Sequence, residues 1–317
     1  MTEKEFALQW HNSDDFIEAK TSGSTGHPKT IKLSKNDMLL SAKATNSYFG
    51  IDSSSRLICP MDYRYIGAKM MYVRAQAASA ELVSIMPSNI FSFSGYADLL
   101  AVVPSQVDNI LITPKLRKRI RNLIIGGAPL DSRRAQKLQL TEINAFTTYG
   151  MTETASHVAL APVGSKYYRS LPLINFDIDN RGCLIINMPG RDLSQVITND
   201  IVTLSNLTTF QWIGRHDNVI NSGGIKIHPE QLSLIIKETL SELSLPYKEV
   251  MVYGVVSEKW GEEAHCAIEN ERNYSPKEFE AVQLRLETKL GNRNYLPRKY
   301  HIVSRLERTP NGTLKLR

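Results

Sequence analysis

"TSGSTGHPKT", residues 21–30, combines two glycines, five hydroxyl side chains, a proline and a lysine in ten positions. From Gly23 the spacing approaches the Walker A pattern, but Pro28 stands where its second glycine belongs. Proline has no N–H to donate to a phosphate. Residues 30–33 alternate like a strand, whereas a P-loop continues directly into a helix. The stretch therefore predicts a phosphate-wrapping loop that ends in Lys29, on a fold other than that of the P-loop NTPases; an ordinary tight turn is the alternative.

The composition is that of a globular chain with room for about two domains. Of its 317 residues, 42% are hydrophobic and 22% are charged. The start lacks a leader pattern and no apolar run approaches the roughly 18 residues that cross a bilayer, so we expect a cytoplasmic protein without membrane insertion. The cysteines Cys59, Cys183 and Cys266 lack the spacing of a disulfide framework or a zinc site. A net charge of +6 suits anionic ligands such as nucleotides but does not select one.

Strand and helix patterns alternate through the first half of the chain. In chain order they are a helix at 35–49, a β-branched run from residue 56, a helix at 68–79, and further runs from residues 82 and 122. The first of these helices should begin at Ser34, with Asp37 as its capping partner. The alternation predicts an α/β layered architecture.

A second pattern begins near residue 217. Its predicted elements are a strand at 218–229, a helix at 229–243, strands at 249–257 and 265–270, and a helix at 275–290. These elements suit a small α+β module of about a hundred residues. Glycine and charge in "GRHD", residues 214–217, favour a linker. We expect a large domain at 1–214, a hinge at 215–217 and a small domain at 218–317.

A basic stretch, "PKLRKRIRN" at 114–122, carries five cations within seven positions. Leu116, Ile120, Leu123 and Ile124 recur at helical spacing, which predicts a helix whose charged face is solvated. Nucleic-acid binding is the alternative. No aromatic residues are interleaved to stack on bases, so we expect no nucleic-acid partner.

A second motif, "TTYGMTETASH" at 147–157, places a carboxylate among small residues that suit a tight turn. Such a carboxylate near a lysine-bearing phosphate loop supplies the hard oxygen ligand that nucleotide-bound Mg²⁺ needs. "IIGGAPLD" at 124–131 ends a strand in two glycines, so its backbone can approach a flat ring. Asp200 and Arg215 are a candidate acceptor and a candidate donor for sugar hydroxyls.

With these motifs in this order, the sequence resembles the adenylate-forming superfamily of acyl-CoA synthetases, peptide-synthetase adenylation domains and luciferases. The resemblance implies a large layered α/β domain, followed by a small, mobile C-terminal α+β domain. It also implies ATP, Mg²⁺ and coenzyme A as cofactors and co-substrates. The reaction implied has two halves: a carboxylate attacks the α-phosphorus of ATP and releases pyrophosphate, and a thiol then attacks the acyl-adenylate. Positioning and charge stabilisation would carry the first half.

The resemblance assigns roles to residues of every motif. Thr21, Ser22, Gly23, Ser24, Thr25, Gly26 and Lys29 would surround the β and γ phosphates, with Thr152 also touching phosphate and Glu153 holding Mg²⁺. Gly126, Gly127, Ala128 and Pro129 would border adenine, on which Tyr149, next to Gly150, would stack. Asp200 and Arg215 would bind the ribose, Asp217 would be the hinge, and Gly223 and Gly224 would line the tunnel for the pantetheine chain.

Two departures from the family pattern concern the chain ends. The family's C-terminal lysine directly follows a glycine, whereas here Thr313 follows Gly312 and the nearest lysine is Lys315. We predict that Lys315 is the catalytic replacement; a frayed basic tail is the alternative. Family members usually carry an extra subdomain before the phosphate loop. A compact or truncated chain is therefore expected, and a homodimer is one way to cover the surface left bare.

A third departure concerns the acid substrate. Many relatives place an aromatic–histidine pair in the region of residues 58–71, where this chain has Tyr63, Arg64 and Lys69. Cations beside an acyl pocket suggest a substrate with a second carboxylate, with surface placement of both as the alternative. Ser156 and His157 could also border that pocket, or His157 could be packed in its wall.

The motifs look most like those of the o-succinylbenzoate:CoA ligases of menaquinone synthesis, whose substrate is an aromatic keto acid with two carboxylates. Three alternatives stay open. The chain could be another aryl- or fatty-acyl-CoA ligase, a weakly active nucleotide-binding remnant, or a domain that loads a carrier protein. In each case the expected partners are small molecules, apart from the carrier protein of the last.

Overall fold

The computed structural model describes residues 1–20 and 29–307. The chain divides into two compact units. The first consists of residues 1–177, 185–197 and 204–211, and the second of residues 178–184, 198–203 and 212–317. In the described residues, no helix is both long enough and apolar enough to cross a membrane.

The first unit contains the helices and strands up to β9. They are α1 (Glu3–Trp10), β1 (Phe16–Lys20), β2 (Thr30–Ser34), α2 (Lys35–Phe49), β3 (Arg56–Cys59), α3 (Ile66–Ala78), β4 (Glu81–Ser84), β5 (Ala97–Val102), α4 (Val107–Ile112), α5 (Pro114–Arg117), β6 (Ile120–Ile125), α6 (Ser132–Gln139), β7 (Asn144–Met151), β8 (Ser156–Pro162) and β9 (Tyr167–Ser170). The boundary between the units runs through the next four strands. These are β10 (Asn175–Ile178), β11 (Cys183–Asn187), β12 (Gln195–Asn206) and β13 (Thr209–Arg215).

One large sheet orders its strands β10-β11-β12-β13-β9-β8-β7-β6-β5-β3-β4. Neighbours from β4 to β7 are parallel, and β8 and β9 follow antiparallel. The carboxyl ends of β6 and β7 therefore lie at the same edge of the sheet. Gly126 follows β6 and Thr152 follows β7 at that edge, which is where open α/β sheets place their ligands.

Local chemistry explains the first predicted helix. The Ser34 side chain accepts a hydrogen bond from the Asp37 backbone N–H, as expected for an N-cap, and α2 spans the predicted residues 35–49. Gly50 ends the helix in the left-handed conformation, with φ of 65°. The strands expected from residues 56, 82 and 122 are also present, as β3, β4 and β6.

The helix predicted for the basic stretch is wrong beyond its first turn. Pro114–Arg117 is helical, but Ile120–Ile125 is the buried parallel strand β6. Its side chains are buried at every position except Arg121. A parallel strand covered on both faces is apolar almost throughout, and such a run cannot be separated from a helix by spacing alone.

The second unit contains a smaller sheet with two helices. Its elements are β14 (Ile220–Ser222), β15 (Ile225–Ile227), α7 (Pro229–Glu242), β16 (Glu249–Ser257), β17 (Gly261–Glu269), α8 (Pro276–Leu290) and β18 (Lys299–Val303). The strand order is β15-β14-β17-β16, with β18 parallel to β17. Ile236, Val252 and Leu286 lie in the core between sheet and helices. The single strand expected at 218–229 is instead a short hairpin, because two glycines turn the chain between β14 and β15.

The expected α/β architecture is confirmed by these elements. Whether the small unit moves, and whether Asp217 is its hinge, stay predictions.

Candidate functional site

The predicted magnesium-binding motif forms the turn between β7 and β8. The pairing of these strands shifts register between Tyr149 and Gly150. A Cβ atom on Gly150 would collide with the Ser156 carbonyl oxygen and would lie 2.5 Å from the His157 Cα. Glycine is required here because the two chains approach so closely.

Thr154 ties this turn together from inside. Its side chain is 1% exposed, and its hydroxyl lies 3.1 Å from the Met151 backbone nitrogen and 2.7 Å from the Ser156 carbonyl oxygen. Ala155 and Ser156 have φ angles of 51° and 84°, in the left-handed region that non-glycine residues rarely adopt. Such conformations cost roughly 1–3 kcal/mol each and concentrate at functional sites.

Thr152 and Glu153 project from this turn and are half-buried. Within residues 1–20 and 29–307, the Glu153 carboxylate has no hydrogen-bond or ion-pair partner. It is therefore available as the hard oxygen ligand that a magnesium site needs. Lys29 is exposed and comes directly before β2.

Part of the predicted phosphate site lies outside the described residues. This applies to Thr21, Ser22, Gly23, Ser24, Thr25 and Gly26, and at the other end of the chain to Lys315. Their roles stay predictions from the sequence.

The predicted adenine border follows β6 at the same sheet edge as the turn. A Cβ atom on Gly126 would lie 2.5 Å from the Thr148 Oγ1 of the neighbouring strand β7, and Gly127 has φ of 86°. Both positions therefore need glycine. Ala128 and Pro129 continue this loop into the solvent-facing segment before α6.

Tyr149 lies within a group of aromatic rings. Its ring centroid is 5.8 Å from that of Tyr168 and 4.9 Å from that of Phe210, the latter edge to face. These contacts orient the Tyr149 ring from one side. Stacking on adenine by its other side stays a prediction.

Arg74 is a buried cation that the sequence analysis did not select. It lies on α3, is 1% exposed, and its Nη2 atom is 3.4 Å from both the Ser156 Oγ and the His157 Nδ1. Burial lowers the pKa of Arg74 to about 10. Its Nε atom has no partner and no carboxylate pairs with it among the described residues. A buried guanidinium without a counter-charge costs several kcal/mol, so this position is suited to an anionic ligand.

The two cations selected from the sequence lie elsewhere. Arg64 is exposed and forms an ion pair with Asp62, with 2.7 Å between Nη2 and Oδ2, which favours the surface alternative for this residue. Lys69 is 2% exposed and donates from Nζ to the Glu18 carbonyl oxygen at 2.9 Å; burial lowers its pKa. Tyr63 is buried, and its hydroxyl lies 2.6 Å from the Ser84 Oγ.

A signal for Arg74 was present in the sequence. Residues 66–78 are apolar around the whole helix except for the long side chains of Lys69, Arg74 and Gln76. A helix that is apolar on all sides is buried. Its charged residues must then be buried with it.

His157 is buried beside Arg74, at 4% exposure. Burial and the positive charges of Arg74 and Arg191 hold its pKa well below the usual value, so the imidazole is neutral at pH 7. Because Arg74 can only donate, Nδ1 accepts and Nε2 carries the proton. Nε2 then donates to the Thr45 Oγ1 at 3.1 Å, and Thr45 donates to the Ser41 carbonyl oxygen.

Arg191 holds the turn from outside, and the sequence analysis missed it as well. Its Nη1 donates to the Thr154 carbonyl oxygen at 2.9 Å, and the side chain is 8% exposed. The Asp37 carboxylate accepts from the backbone N–H groups of Asp192 and Leu193, at 2.7 and 3.0 Å. The loop that carries Arg191 is thus fixed to the start of α2. These partners are 37 and more residues apart in sequence, so no local pattern announces them.

The predicted ribose and hinge residues lie close together in the second unit. The Asp200 Oδ1 is 3.7 Å from the Arg215 Nη1 and 3.3 Å from the Trp212 Nε1. Arg215 also bonds to Asp217, at 2.7 Å, and this bond lowers the pKa of Asp217. A carboxylate beside a guanidinium offers both an acceptor and a donor to sugar hydroxyls.

Gly223 and Gly224 form the turn between β14 and β15, with φ of 58° and 84°. A Cβ atom on Gly223 would lie 2.7 Å from the Trp260 ring, whereas Gly224 faces open space. Their part in a thiol tunnel stays a prediction.

Comparison with known proteins settles the family. Residues 20–192, more than half of the chain, match the AMP-binding enzyme family. This chain belongs to that family. The match includes the turn with Glu153, the Gly126–Gly127 loop and Arg74, but ends before Asp200.

Named relatives support this AMP-binding enzyme being a CoA ligase. A 2-succinylbenzoate–CoA ligase of Listeria monocytogenes is 23% identical over 99% of this chain and 71% of its own length. One of Haemophilus influenzae is 26% identical over 86% of this chain and 63% of its own length. The predicted class, an AMP-forming acid–thiol ligase, is confirmed.

Solved structures agree with the fold of this AMP-binding enzyme. An acyl-CoA synthetase-like protein from Dyadobacter fermentans is 29% identical, covers 98% of this chain and 90% of its own, and has a TM-score of 0.63. O-succinylbenzoate coenzyme A synthetase from Bacillus subtilis, in complex with ATP and magnesium, is 19% identical with a TM-score of 0.76, covering 94% of this chain and 68% of its own.

Proposed function

We propose that this enzyme joins o-succinylbenzoate to coenzyme A, with ATP as the activating co-substrate and Mg²⁺ as the metal, in menaquinone biosynthesis. The observation that carries the choice of acid is Arg74, a buried cation without a carboxylate partner among the described residues, in contact with Ser156 just after the turn that bears Glu153. An acid with a second carboxylate supplies the missing charge.

The residues present fit the phosphates and the metal. Glu153 offers a carboxylate that makes no other bond among the described residues, and hard oxygen ligands are what Mg²⁺ prefers. When bound, Mg²⁺ offsets negative charge on the phosphates. Lys29 and the hydroxyl-rich loop before it would hold the same phosphates, and the Thr152 hydroxyl would donate a hydrogen bond to them. Asp200 and Arg215 would hold the ribose.

The hydrogen bonds of Arg74 support its role in the proposed acid site. Arg74 faces Ser156 and neutral His157, and the Nη1 and Nε atoms have no oxygen partner among the described residues. A guanidinium in this state can grip a carboxylate with two parallel bonds. Because His157 remains neutral, it adds no charge that would bind a carboxylate nonspecifically. It holds Arg74 in place through Nδ1.

The test is pyrophosphate release over a panel of acids. We expect o-succinylbenzoate to be preferred by at least about a hundredfold over benzoate, octanoate and a keto acid lacking the second carboxylate, since losing a buried charge-assisted pair costs about 3–5 kcal/mol. Arg74→Met should remove the preference and leave the single-carboxylate acid largely unaffected. The matched control is Arg64→Met, an exposed arginine ten residues earlier, just before α3. Equal rates for all acids in the wild type would reject this substrate.

Location and assembly stay proposals. A cytoplasmic enzyme suits the soluble substrates, and a homodimer is the assembly proposed. Sedimentation at micromolar concentration tests the dimer, and a single species at 35.7 kDa would exclude it.

A further inference from the structure

A surface pocket lies at the opposite ends of the parallel strands from the proposed nucleotide site. It has a volume of about 350 Å³ and is lined by Gly95, Tyr96, Lys115, Lys118 and Arg119. Tyr96 directly precedes β5 and Arg119 directly precedes β6, so the pocket opens at the amino ends of these parallel strands. Gly126 follows the carboxyl end of β6, which is six residues long. At about 3.3 Å per residue the two places are roughly 20 Å apart.

The charge of this pocket is not balanced by its surroundings. Three of its five lining residues are cations and none is acidic. The side chains of Lys115 and Lys118 have no hydrogen-bond or ion-pair partner within the described part of the chain. Two carboxylates on β5 and β4 are already engaged: Asp98 pairs with Arg121, at 3.7 Å, and Glu81 pairs with Arg56, at 2.9 Å.

The local structure brings the three cations together. Lys115 and Lys118 are three residues apart along one helical turn, which brings their side chains to the same face. Their positive charges are therefore both available to one anionic group. Arg119 is fixed beside them, since its Nη1 donates to the Phe93 carbonyl oxygen at 2.7 Å.

Tyr96 adds a planar surface to the cations. Tyr96 has a large hydrophobic side chain that lines the pocket, and this side chain is 74% exposed. An exposed aromatic ring beside positive charges can stack on a planar group while the cations bind its phosphate. The basic stretch itself contains no aromatic residue. The fold brings Tyr96, which is 19 residues before Lys115 in sequence, into the same pocket.

We propose that this pocket binds a planar organic phosphate, of the nucleoside monophosphate class, at a second site separate from the nucleotide site. Tyr96 stacks on the ring, and Lys115, Lys118 and Arg119 bind the phosphate. Binding is electrostatic in large part and weakens as salt is raised.

Tryptophan fluorescence in Tyr96→Trp tests the site with AMP as the probe. AMP at the nucleotide site is roughly 20 Å from position 96, and subtracting the same titration of the wild type removes the signals of Trp10, Trp212 and Trp260. We expect saturable quenching by AMP that is at least about tenfold weaker with adenosine, which lacks the phosphate.

The charge variants complete the test. In the Tyr96→Trp background, Lys115→Glu with Lys118→Glu should raise the Kd for AMP at least about tenfold. Lys43→Glu with Lys137→Glu makes the same charge change at exposed positions elsewhere and should leave it within about twofold. All four lysines are exposed, so each variant should keep the wild-type Tm. Absent quenching, or equal Kd values in both double variants, would overturn the proposal; neither outcome bears on the ligase activity.

Discussion

Glu153 is the residue on which the metal assignment depends. Its carboxylate has no structural partner within the described residues, so Glu153→Gln should leave the Tm within about 2 °C of the wild type. The neutral amide is a poorer Mg²⁺ ligand, and we expect pyrophosphate release to fall by roughly two orders of magnitude. The exposed Glu142→Gln, at the other end of β7, is the control. Full activity of Glu153→Gln at limiting Mg²⁺ would assign the metal to another residue.

His157 predicts a dependence of stability on pH. Its pKa is lowered in the folded protein, so between that value and the ordinary value near 6.5 the unfolded chain binds more protons than the folded one. The contribution of neutral His157 to the free energy of unfolding is therefore fully present above pH 6.5. It decreases as the pH falls below this value, by up to about 1.4 kcal/mol per pH unit.

The variant His157→Gln can accept from Arg74 and donate to Thr45 without titrating. Its Tm should fall less between pH 7 and pH 5.5 than that of the wild type. His216→Gln, at an exposed position, should keep the wild-type slope. Equal slopes for all three proteins would show that His157 titrates normally.

At the scale of elements, the turn between β7 and β8 is held by a loop from far along the chain. Arg191→Met would remove the donor to the Thr154 carbonyl oxygen while keeping a long apolar stem. We expect apparent Mg²⁺ affinity to weaken about tenfold, because Glu153 would lose its fixed position. The KM for the acid should change less. The exposed Arg133→Met is the control; an unchanged Mg²⁺ titration in Arg191→Met would show that the turn holds itself.

The same contrast between local and distant partners explains what the sequence could predict. The helix α2 and the helices α7 and α8 follow from caps and spacing, which are local, and they appear within two residues of expectation. The glycine motifs were also recognisable in the sequence. The structure explains them, because Gly126 and Gly150 each lack room for a side chain.

Contacts between segments that are distant in sequence leave no local pattern from which they can be predicted. Arg74 contacts Ser156 and His157 because α3 packs against the beginning of β8. Asp37 accepts a hydrogen bond from Asp192, which is 155 residues away in sequence. The sequence analysis therefore selected Lys69, which is buried on α3, but did not select Arg74, which is buried on the same helix.

At the scale of the whole molecule, this chain spans different shares of its relatives. The Listeria and Haemophilus ligases exceed it, so that it spans 71% and 63% of them, whereas it spans 90% of the Dyadobacter protein. The matched region retains the turn with Glu153 and the glycine loop.

Adenylation, the first half-reaction, is predicted to depend also on the C-terminal tail, where Lys315 is two residues beyond the family position. If Lys315 supplies the charge that bridges the adenylate and the carboxylate, Lys315→Ala should slow pyrophosphate release by about two orders of magnitude. Thioester formation from preformed acyl-adenylate should survive, because that half-reaction begins after the α-phosphorus has been attacked. Arg317→Ala removes a neighbouring charge and should leave both rates unchanged. Equal loss of both half-reactions in Lys315→Ala would indicate a structural tail, whereas unchanged adenylation would assign the bridging charge to another cation.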